Sequence, residues 1–447
     1  MILSVVILAA GQGTRMKSNL PKVLHRLGGR PLVQYAIDTA RAVSDRPPIL
    51  VVGHSGEQVR AALGEQCDYV TQAEQLGTAH AVLQVRDLLA SRGGRVLVCY
   101  ADMPLIPAGA LNAIAHSPSP VALLTFTGPE PRGFGRIARD SNGKVIAIVE
   151  EDQATPEQKD IRELNPGVYC FDSEFLWREL ARLPVSPRGE YFLTDLIGVA
   201  VKQGLPVDAV PLADPDDAIG INNRVHLAEA ETILRRRINR RWMEAGVTMV
   251  DPSTVYIEPT VTLGPDTLLW PNVQLLGNTI IGSACELGPN TQVRDSTLGD
   301  ECVVTASVIE NAKVEDRVLI GPYAHLRKGA HLASGVHLGN FGEVKESYLG
   351  PGVKMGHFSY IGDARVGANA NIGAGTITCN FDGTRKNPTT IGDDVFIGSD
   401  TLLVAPIVLG DRSRTGAGSV VTKDVPPDSL AVGLPARVIR KFEKESP

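Results

Sequence analysis

The sequence predicts an α/β Rossmann-like sandwich followed by a linker helix and then a β-solenoid, and three observations lead there. Up to about residue 222, short apolar runs alternate with amphipathic segments. Residues 223–245 form one charged segment with sparse apolar punctuation, and beyond Gly246 an aliphatic recurs at every sixth residue. The domains therefore fall at 1–222, 223–246 and 247–447.

In the first part the strands are read at "SVVILAA", "PILVVGH", "RVLVCYAD", "PVALLTF" and "PVDAVPL". Helices are expected at residues 32–42, 57–63 and 78–90. Alternation of this kind predicts a largely parallel sheet with ligands beyond the carboxyl ends of its strands. The stretch "LAAGQGTRMKSNLPK" after the first strand looks like an anion cradle, because glycine lets backbone N–H groups approach closely and the next residues could open a helix. It is neither standard phosphate loop: Met16 stands where a dinucleotide fingerprint needs its third glycine, and no Gly-Lys-Ser/Thr is present there.

Residues 223–245 read as one helix, punctuated by Val225, Leu227, Ile233, Leu234, Ile238 and Trp242. Its arginines, Arg235–Arg237 with Arg240 and Arg241, read as a solvated face.

The last part carries the six-residue period in Ile320, Leu326, Leu332, Leu338 and Val344, in Val366, Ile372 and Thr378, and in Ile391 through Ile397, Leu403, Leu409, Thr415 and Val421. Three hexads complete a triangular coil, one aliphatic per hexad points inward, and only stacking buries it. Five-residue steps at Val344–Leu349 and Ile361–Val366 are expected to let loops or bulges protrude. Trp270 and "FDGTRKNPTT" are read as interruptions, the second as a functional loop.

Composition bounds the function. With 447 residues, core size is no limit. A net charge of -6 and a pI near 5.9 argue against nucleic-acid and anionic-membrane partners, so an anionic small substrate needs local cations. Six scattered cysteines without a CxxC pair suggest a reducing cytoplasm rather than a disulfide framework or zinc site. Residues 2–10 read as a buried strand, not a leader, and no apolar run reaches the ~18 residues of a membrane span.

"LAAGQGTRMKSNLPKVLH", "QAEQLGTAHA", "YADMPLI", "GFGRI", "NPGVY", "EYFLTD" and "INNR" occur in this order ahead of a hexapeptide solenoid. From about residue 3 to about 425 the chain resembles the bacterial bifunctional N-acetylglucosamine-1-phosphate uridylyltransferases/glucosamine-1-phosphate N-acetyltransferases. The resemblance implies a uridylyltransferase domain, a left-handed parallel β-helix with acetyltransferase activity, and assembly as a homotrimer with active sites between subunits. UTP and acetyl-CoA are the implied co-substrates and Mg²⁺ the implied metal.

For the first half, the resemblance puts Leu8, Ala9, Ala10 and Gly11 on the nucleotide and Arg15 and Lys22 on the triphosphate, where fixed cations stabilise the departing pyrophosphate. Asp102, at the end of a strand, and Asn222 would hold Mg²⁺, a hard cation that needs few protein oxygens beside phosphate. Alone, an Asp there is as often a helix cap. Gln72, Gly77 and Thr78 would read the base, although Gly77 or Thr78 also suits capping of the following helix. Tyr100, Gly135, Glu150 and Asn165 complete the nucleotide and sugar site by resemblance.

For the second half, His357 in "GHFSYIGD" matches the family's general base, a role suited to imidazole because an attacking amine must lose a proton near neutral pH. Arg327, Lys345 and Lys386 would hold the sugar phosphate, Tyr360 and Asn371 the sugar, and Ala374, Asn380, Phe381, Ser399 and Ala417 acetyl-CoA. His325, His331 and His337, six apart, fall on successive faces of the triangle and do not suit a metal site. The chain departs from the family at Phe381, where Tyr is common, at Gly342 and Glu346, and at Leu434, where an Arg contacts the coenzyme. Arg437 or Arg440 is available instead, and Arg437 is carried forward. Two other readings remain: a single-activity sugar-1-phosphate nucleotidylyltransferase with a structural solenoid, and a nucleotide-sugar sensor without turnover.

Overall fold

The structure, a computed structural model, describes residues 2–128, 131–186 and 189–441. It divides into two compact units, Met1–Leu234 and Arg235–Pro447, with the boundary inside the long helix Arg224–Glu244.

The first unit is built on one twisted sheet. Leu3–Ala9 is its third strand from one edge, with Ile49–Val52 and Arg95–Tyr100 parallel on either side. Both neighbours run through apolar residues buried on two faces, which is why they read as unbroken hydrophobic runs. All five strands read from the sequence are present, within a residue or two of their expected ends. The sheet is mixed, however, not largely parallel: Tyr169–Asp172 inserts antiparallel between Arg95–Tyr100 and Val121–Thr127, and Glu163–Asn165, Gly135–Arg139 and Val145–Val149 extend it by antiparallel pairs. These strands are short: Tyr169–Asp172 is buried over only three residues, and the other three mix buried with partly exposed positions, so they lack the long apolar runs that marked the others.

Helices form at Leu32–Val43 and Gly56–Leu63 as read. The third is two pieces, Thr78–Leu83 and Arg86–Leu89, because the chain turns at Val85 (φ −94°, ψ 1°) to bury that side chain completely. The opening loop makes only a three-residue 3₁₀ turn, Thr14–Met16, and no helix. In the long helix Leu227, Ile233 and Leu234 pack beside Ala230 on Leu27, Leu32 and Ile221, whereas Val225 is exposed. Of its arginines, Arg236, Arg240 and Arg241 are exposed, Arg235 stacks on Tyr256 and Arg241 on Trp242.

The second unit is a left-handed parallel β-helix. Its two- to five-residue strands stack into three sheets, each strand pairing with the one a coil later: Ile320 on Leu338, Leu326 on Val344, Leu332 on Leu349. Every aliphatic of the hexad series is buried. Each contributes about 2 kcal/mol on leaving water, but only because coils above and below cover it.

The five-residue steps do not protrude. Glu346 (φ 45°) and Asp363 (φ 50°) take left-handed backbone two residues after the inward aliphatic, where six-residue corners such as Asp266 and Asn272 take it three residues after; Asp295, Ala306 and Asn311 mark three further short steps. Nor is Trp270 an interruption: Leu263, Leu269, Leu275 and Ile281 keep the period, and the Trp270 indole donates to Glu286 at 2.9 Å on the outside. The true excursion leaves the coil after Cys379 and returns at Thr389.

A hairpin, Ser429–Gly433 against Ala436–Lys441, ends the described chain; the tail's last residues, 442–447, lie outside it.

Candidate active sites

At the carboxyl edge of the first unit's sheet, parallel register brings three chain segments together. Leu8 pairs with Val51 on one side and Tyr100 on the other, so the residues following each strand meet. The approach is close: a Cβ on Gly53 would sit 2.5 Å from the Ala10 carbonyl oxygen, and one on Gly13 (φ 63°) 2.6 Å from Lys22 Cβ. A Cβ on Gly11 would meet nothing within 4 Å, so glycine there leaves space in the cavity that it lines.

That cavity holds about 360 Å³ and is walled by ten of the expected residues: Leu8, Ala9, Ala10, Gly11, Lys22, Gln72, Gly77, Thr78, Tyr100 and Asp102. A second hollow of about 330 Å³ shares Ala9–Gly11 and Lys22 and extends past Thr14 toward Gly53–Ser55.

Beside it lies a charged knot. The Lys22 ammonium contacts the Asp102 carboxylate, donates to Asn222 Oδ1 at 3.2 Å, and shares that oxygen with Arg15 at 3.0 Å. Asp102 and Asn222 come together because the Ile221 N–H donates to the Asp102 carbonyl at 2.9 Å. Two oxygen donors thus converge on one cation, the Lys22 ammonium. The chemistry of this donor pair also suits a hard divalent ion.

Three expected sugar residues cluster on the antiparallel strands. Asn165 pairs with Gly135, and a Cβ on Gly135 would lie 3.6 Å from Glu150 Oε2. Asn165 is held by Tyr169 Oη (2.7 Å) and the Gly167 N–H (3.0 Å), and Glu150 accepts from Thr194 at 2.9 Å. Burial raises the Glu150 carboxyl above the usual range and pushes the Tyr100 phenol up, with the Asp102 and Glu150 charges adding to the latter. Tyr100 links the two groups, its ring lying against Gly167, where a Cβ would come within 2.5 Å.

Several cavity residues escaped the sequence reading: Val23, Gln75, Ala81 and Glu190. Gln75, whose amide donates to the Ala10 carbonyl at 2.8 Å, lay inside the quoted "QAEQLGT" and was open to detection.

In the β-helix the expected residues form two groups. His357 is exposed, occupies a coil corner two residues after Met355, and makes no side-chain hydrogen bond among the described residues. The register puts Ala374, Ser399 and Ala417 in the same corner position of the next three coils, two residues after Ile372, Ile397 and Thr415. Main-chain packing forbids larger neighbours: a Cβ on Gly373 or Gly398 would fall 2.6–2.7 Å from the next coil's backbone. The result is a column of small side chains starting at His357.

The second group is cationic. Arg327 and Lys345 stack in consecutive coils, Arg327 bonded to Glu343 at 2.8 Å. The excursion brings Lys386 against Lys345, whose ammonium is held below the ordinary lysine range by that neighbouring charge. Asp382 shapes the excursion, accepting from the Thr384 and Arg385 N–H groups at 2.9 Å, Thr384 Oγ1 at 2.8 Å and Asn387 Nδ2 at 2.9 Å. Asn380 bridges Asp363 and Tyr360, and Tyr360 Oη covers Gly362, where a Cβ would meet it at 2.2 Å. Asn371 lies on the neighbouring sheet, opposite Lys354 and Phe396. Phe381 is exposed beside its bridge to Lys386. Arg437 pairs with Val432 in the terminal hairpin, and Leu434 stands 77% exposed at its tip.

His325, His331 and His337 lie on three different sheets; His325 and His331 pair instead with Glu310 (3.4 Å) and Glu315 (2.9 Å).

Residues 5–191 match the MobA-like NTP transferase domain family, and residues 388–423 the hexapeptide repeat of succinyl-transferase. A "Bifunctional protein GlmU" from Heliobacterium modesticaldum is 45% identical over 434 residues, covering 96% of this chain and 95% of that protein. One from Trichlorobacter lovleyi is 45% identical over 445 residues, covering 98% and 97%. A solved chain described as a putative glucose-1-phosphate thymidylyltransferase from Bacillus anthracis covers 52% of this chain and 95% of its own length at 20% identity and a TM-score of 0.43, too distant to bear on either site.

Proposed function

The chain belongs to the GlmU family of bifunctional proteins, and from that premise we propose how its two units divide the work. It is a bifunctional transferase: it acetylates glucosamine-1-phosphate with acetyl-CoA, then transfers UMP from UTP to N-acetylglucosamine-1-phosphate. The products are pyrophosphate and UDP-N-acetylglucosamine, a cell-wall precursor. The observation that carries the assignment of sites is the pairing of a cation knot with a cavity in the first unit, and of a cation cluster with a small-residue column in the second.

In the first unit, residues 1–222 supply the uridylyltransferase. Gln72, Gly77 and Thr78 take the base, and Gly135, Glu150 and Asn165 take the sugar. The sugar phosphate attacks the nucleotide α-phosphorus in line; the P–O bond to pyrophosphate breaks, and Lys22 and Arg15 neutralise the leaving group. Asp102 and Asn222 fit Mg²⁺, since their oxygens already converge on one positive charge. When bound there it supplies charge neutralisation on the phosphates.

In the second unit, residues 247–447, joined by the helix at 223–246, Arg327, Lys345 and Lys386 hold the sugar phosphate while Tyr360 and Asn371 orient the ring. His357 takes the amine proton as the nitrogen attacks the thioester carbonyl; the C–N bond forms and the coenzyme leaves as thiolate. The column Ala374, Ser399 and Ala417 gives acetyl-CoA a track from His357, and Asn380, Phe381 and Arg437 are assigned to the same ligand.

The finer assembly is a homotrimer. Its support is an aromatic ladder on the His357 corner: Tyr323 and Phe341 stack at 5.3 Å, and Tyr323, Phe341 and Phe358 are 61%, 59% and 55% exposed. Such a ladder invites cover by another protein surface, and light scattering should return three times the 47.7 kDa chain mass. Six free cysteines suit the cytoplasm, and among the described residues no helix is long and apolar enough to cross a membrane.

The direct test supplies glucosamine-1-phosphate, acetyl-CoA, UTP and Mg²⁺ and follows thiol and pyrophosphate separately. Both products, with pyrophosphate dependent on acetyl-CoA, support the reading. Pyrophosphate alone, and only from N-acetylglucosamine-1-phosphate, would leave a single-activity uridylyltransferase.

A further inference from the structure

One wall of the nucleotide cavity is a buried amide whose polarity is set from behind. Gln72 is 4% exposed, and its Nε2 donates to the Gly77 carbonyl at 3.1 Å and stands 3.1 Å from His80 Nδ1. On the far side of the imidazole, the Gln84 amide lies 3.0 Å from Nε2 and 3.1 Å from the His80 carbonyl. A neutral imidazole carries one proton, so the two amides cannot both present N–H to it.

Gln72 is the constrained one. Turning it over would press its oxygen against the Gly77 carbonyl inside the wall, leaving two buried acceptors facing each other. Gln84 is half-buried at a helix end and turns at the loss of one bond to its own helix. The ring proton therefore sits on Nε2, facing the Gln84 oxygen, and Nδ1 accepts from Gln72.

With both amide hydrogens committed, only the Gln72 oxygen is left to face the cavity. It is an acceptor, so it selects a base edge that offers N–H.

Resting on the nucleotide site proposed above, we propose that His80 is a positioning residue that sets pyrimidine specificity. By fixing the Gln72 amide it makes the site favour a base with hydrogen on N3, such as uracil. Cytosine, whose N3 is an acceptor, would face the Gln72 oxygen lone pair to lone pair. His80 does not line the cavity and touches no substrate; it acts through Gln72.

The test is the ratio of kcat/KM for UTP to that for CTP, with N-acetylglucosamine-1-phosphate and Mg²⁺, in the full chain. His80→Leu should lower that ratio at least tenfold, and His80→Gln, which can still accept from Gln72, should restore most of it. A merely structural role would depress both nucleotides alike. An unchanged ratio in His80→Leu, with a lowered ratio in Gln72→Ala, overturns the role of His80 while leaving the base site standing. An unchanged ratio in both means that the base is not read at Gln72, and the nucleotide site itself is misplaced. If His80→Leu loses its cooperative melt, Gln84→Arg decides: it donates to Nε2 and drives the ring proton to Nδ1, so the ratio should fall, and no change overturns the proposal.

Discussion

Gly77→Ala should destroy the base pocket, whereas the same substitution at Gly198 should stabilise the protein. Gly77 has φ 98° and ψ 179°, and an added Cβ would lie 2.5 Å from the Tyr191 carbonyl oxygen and 2.8 Å from its nitrogen. Both Tyr191 groups are already engaged, the N–H with the Leu76 carbonyl (2.8 Å) and the oxygen with the Ala79 N–H (3.0 Å). Relief therefore means breaking one of these bonds and moving the loop. A backbone region open essentially to glycine alone costs ~1–3 kcal/mol, and one buried polar group left unpaired adds ~1–3 kcal/mol. We expect a loss of about 4 kcal/mol in the first unit. Displacing Thr78 and Gln72 by about 1 Å should cost on the order of 100-fold in kcat/KM for UTP. Gly198 lies inside the helix Asp195–Lys202 with nothing within 4 Å of an added Cβ, so Gly198→Ala should gain ~0.5–1 kcal/mol. Chemical denaturation followed by the intrinsic fluorescence of Trp177, together with pyrophosphate release, measures both. A Gly77→Ala protein with wild-type stability and UTP kinetics would refute the steric argument outright.

Four further outcomes are expected. His357→Ala should abolish acetyl transfer and spare uridylyl transfer, and Lys22→Ala should do the reverse; assays of each half-reaction with its own substrates check both, and equal loss of the two activities would mean that the sites are not independent. Glu150, whose burial raises its folded pKa above the unfolded value, contributes stability that is present below the ordinary glutamate pKa of ~4.3 and lost as pH rises to the folded value. Glu150→Gln should therefore gain on wild type across that window in urea titrations, and a pH-independent difference would contradict the burial argument. Asp382→Ala, by loosening the turn that carries Lys386, should raise KM for glucosamine-1-phosphate about tenfold with little change in kcat; an unchanged KM would separate Lys386 from the phosphate.

Legibility differed with the range of the contacts involved. The hexad register was readable to the residue because each inward aliphatic is dictated by its own six-residue neighbourhood, and Ile320 through Val344 are all buried as read. The opening loop lines the cavity with Leu8–Gly11 and Lys22, but the helix expected after it is only a 3₁₀ turn, Thr14–Met16. Gly135, Glu150 and Asn165 were weak individually, because their meeting depends on antiparallel pairing across about thirty residues that no local period encodes. His80 was passed over for a related reason: at Thr78–Leu83 it reads as an ordinary helical residue, and its bond to Gln72 crosses from a strand end to a helix. The short corners at Glu346 and Asp363 were mistaken for protrusions because a missing residue and a bulge disturb the period alike.

Regularity and chemistry are complementary along the β-helix. A rung that keeps the period uses its side chains to stack, and little remains free to act. Where the outward residues change, as at Arg327 and Lys345, like charges are brought a coil apart. Glu343 answers Arg327, yet Lys345 faces Lys386 and is eased toward losing its proton. A phosphate resolves this conflict, since one dianion offers acceptors to all three cations at once. The same logic holds in the first unit, where Lys22 and Arg15 share the single Asn222 oxygen although Asp102 satisfies only one of them. In an acidic chain, both clusters crowd cations together, and on that ground we propose them as the places where an anionic substrate binds.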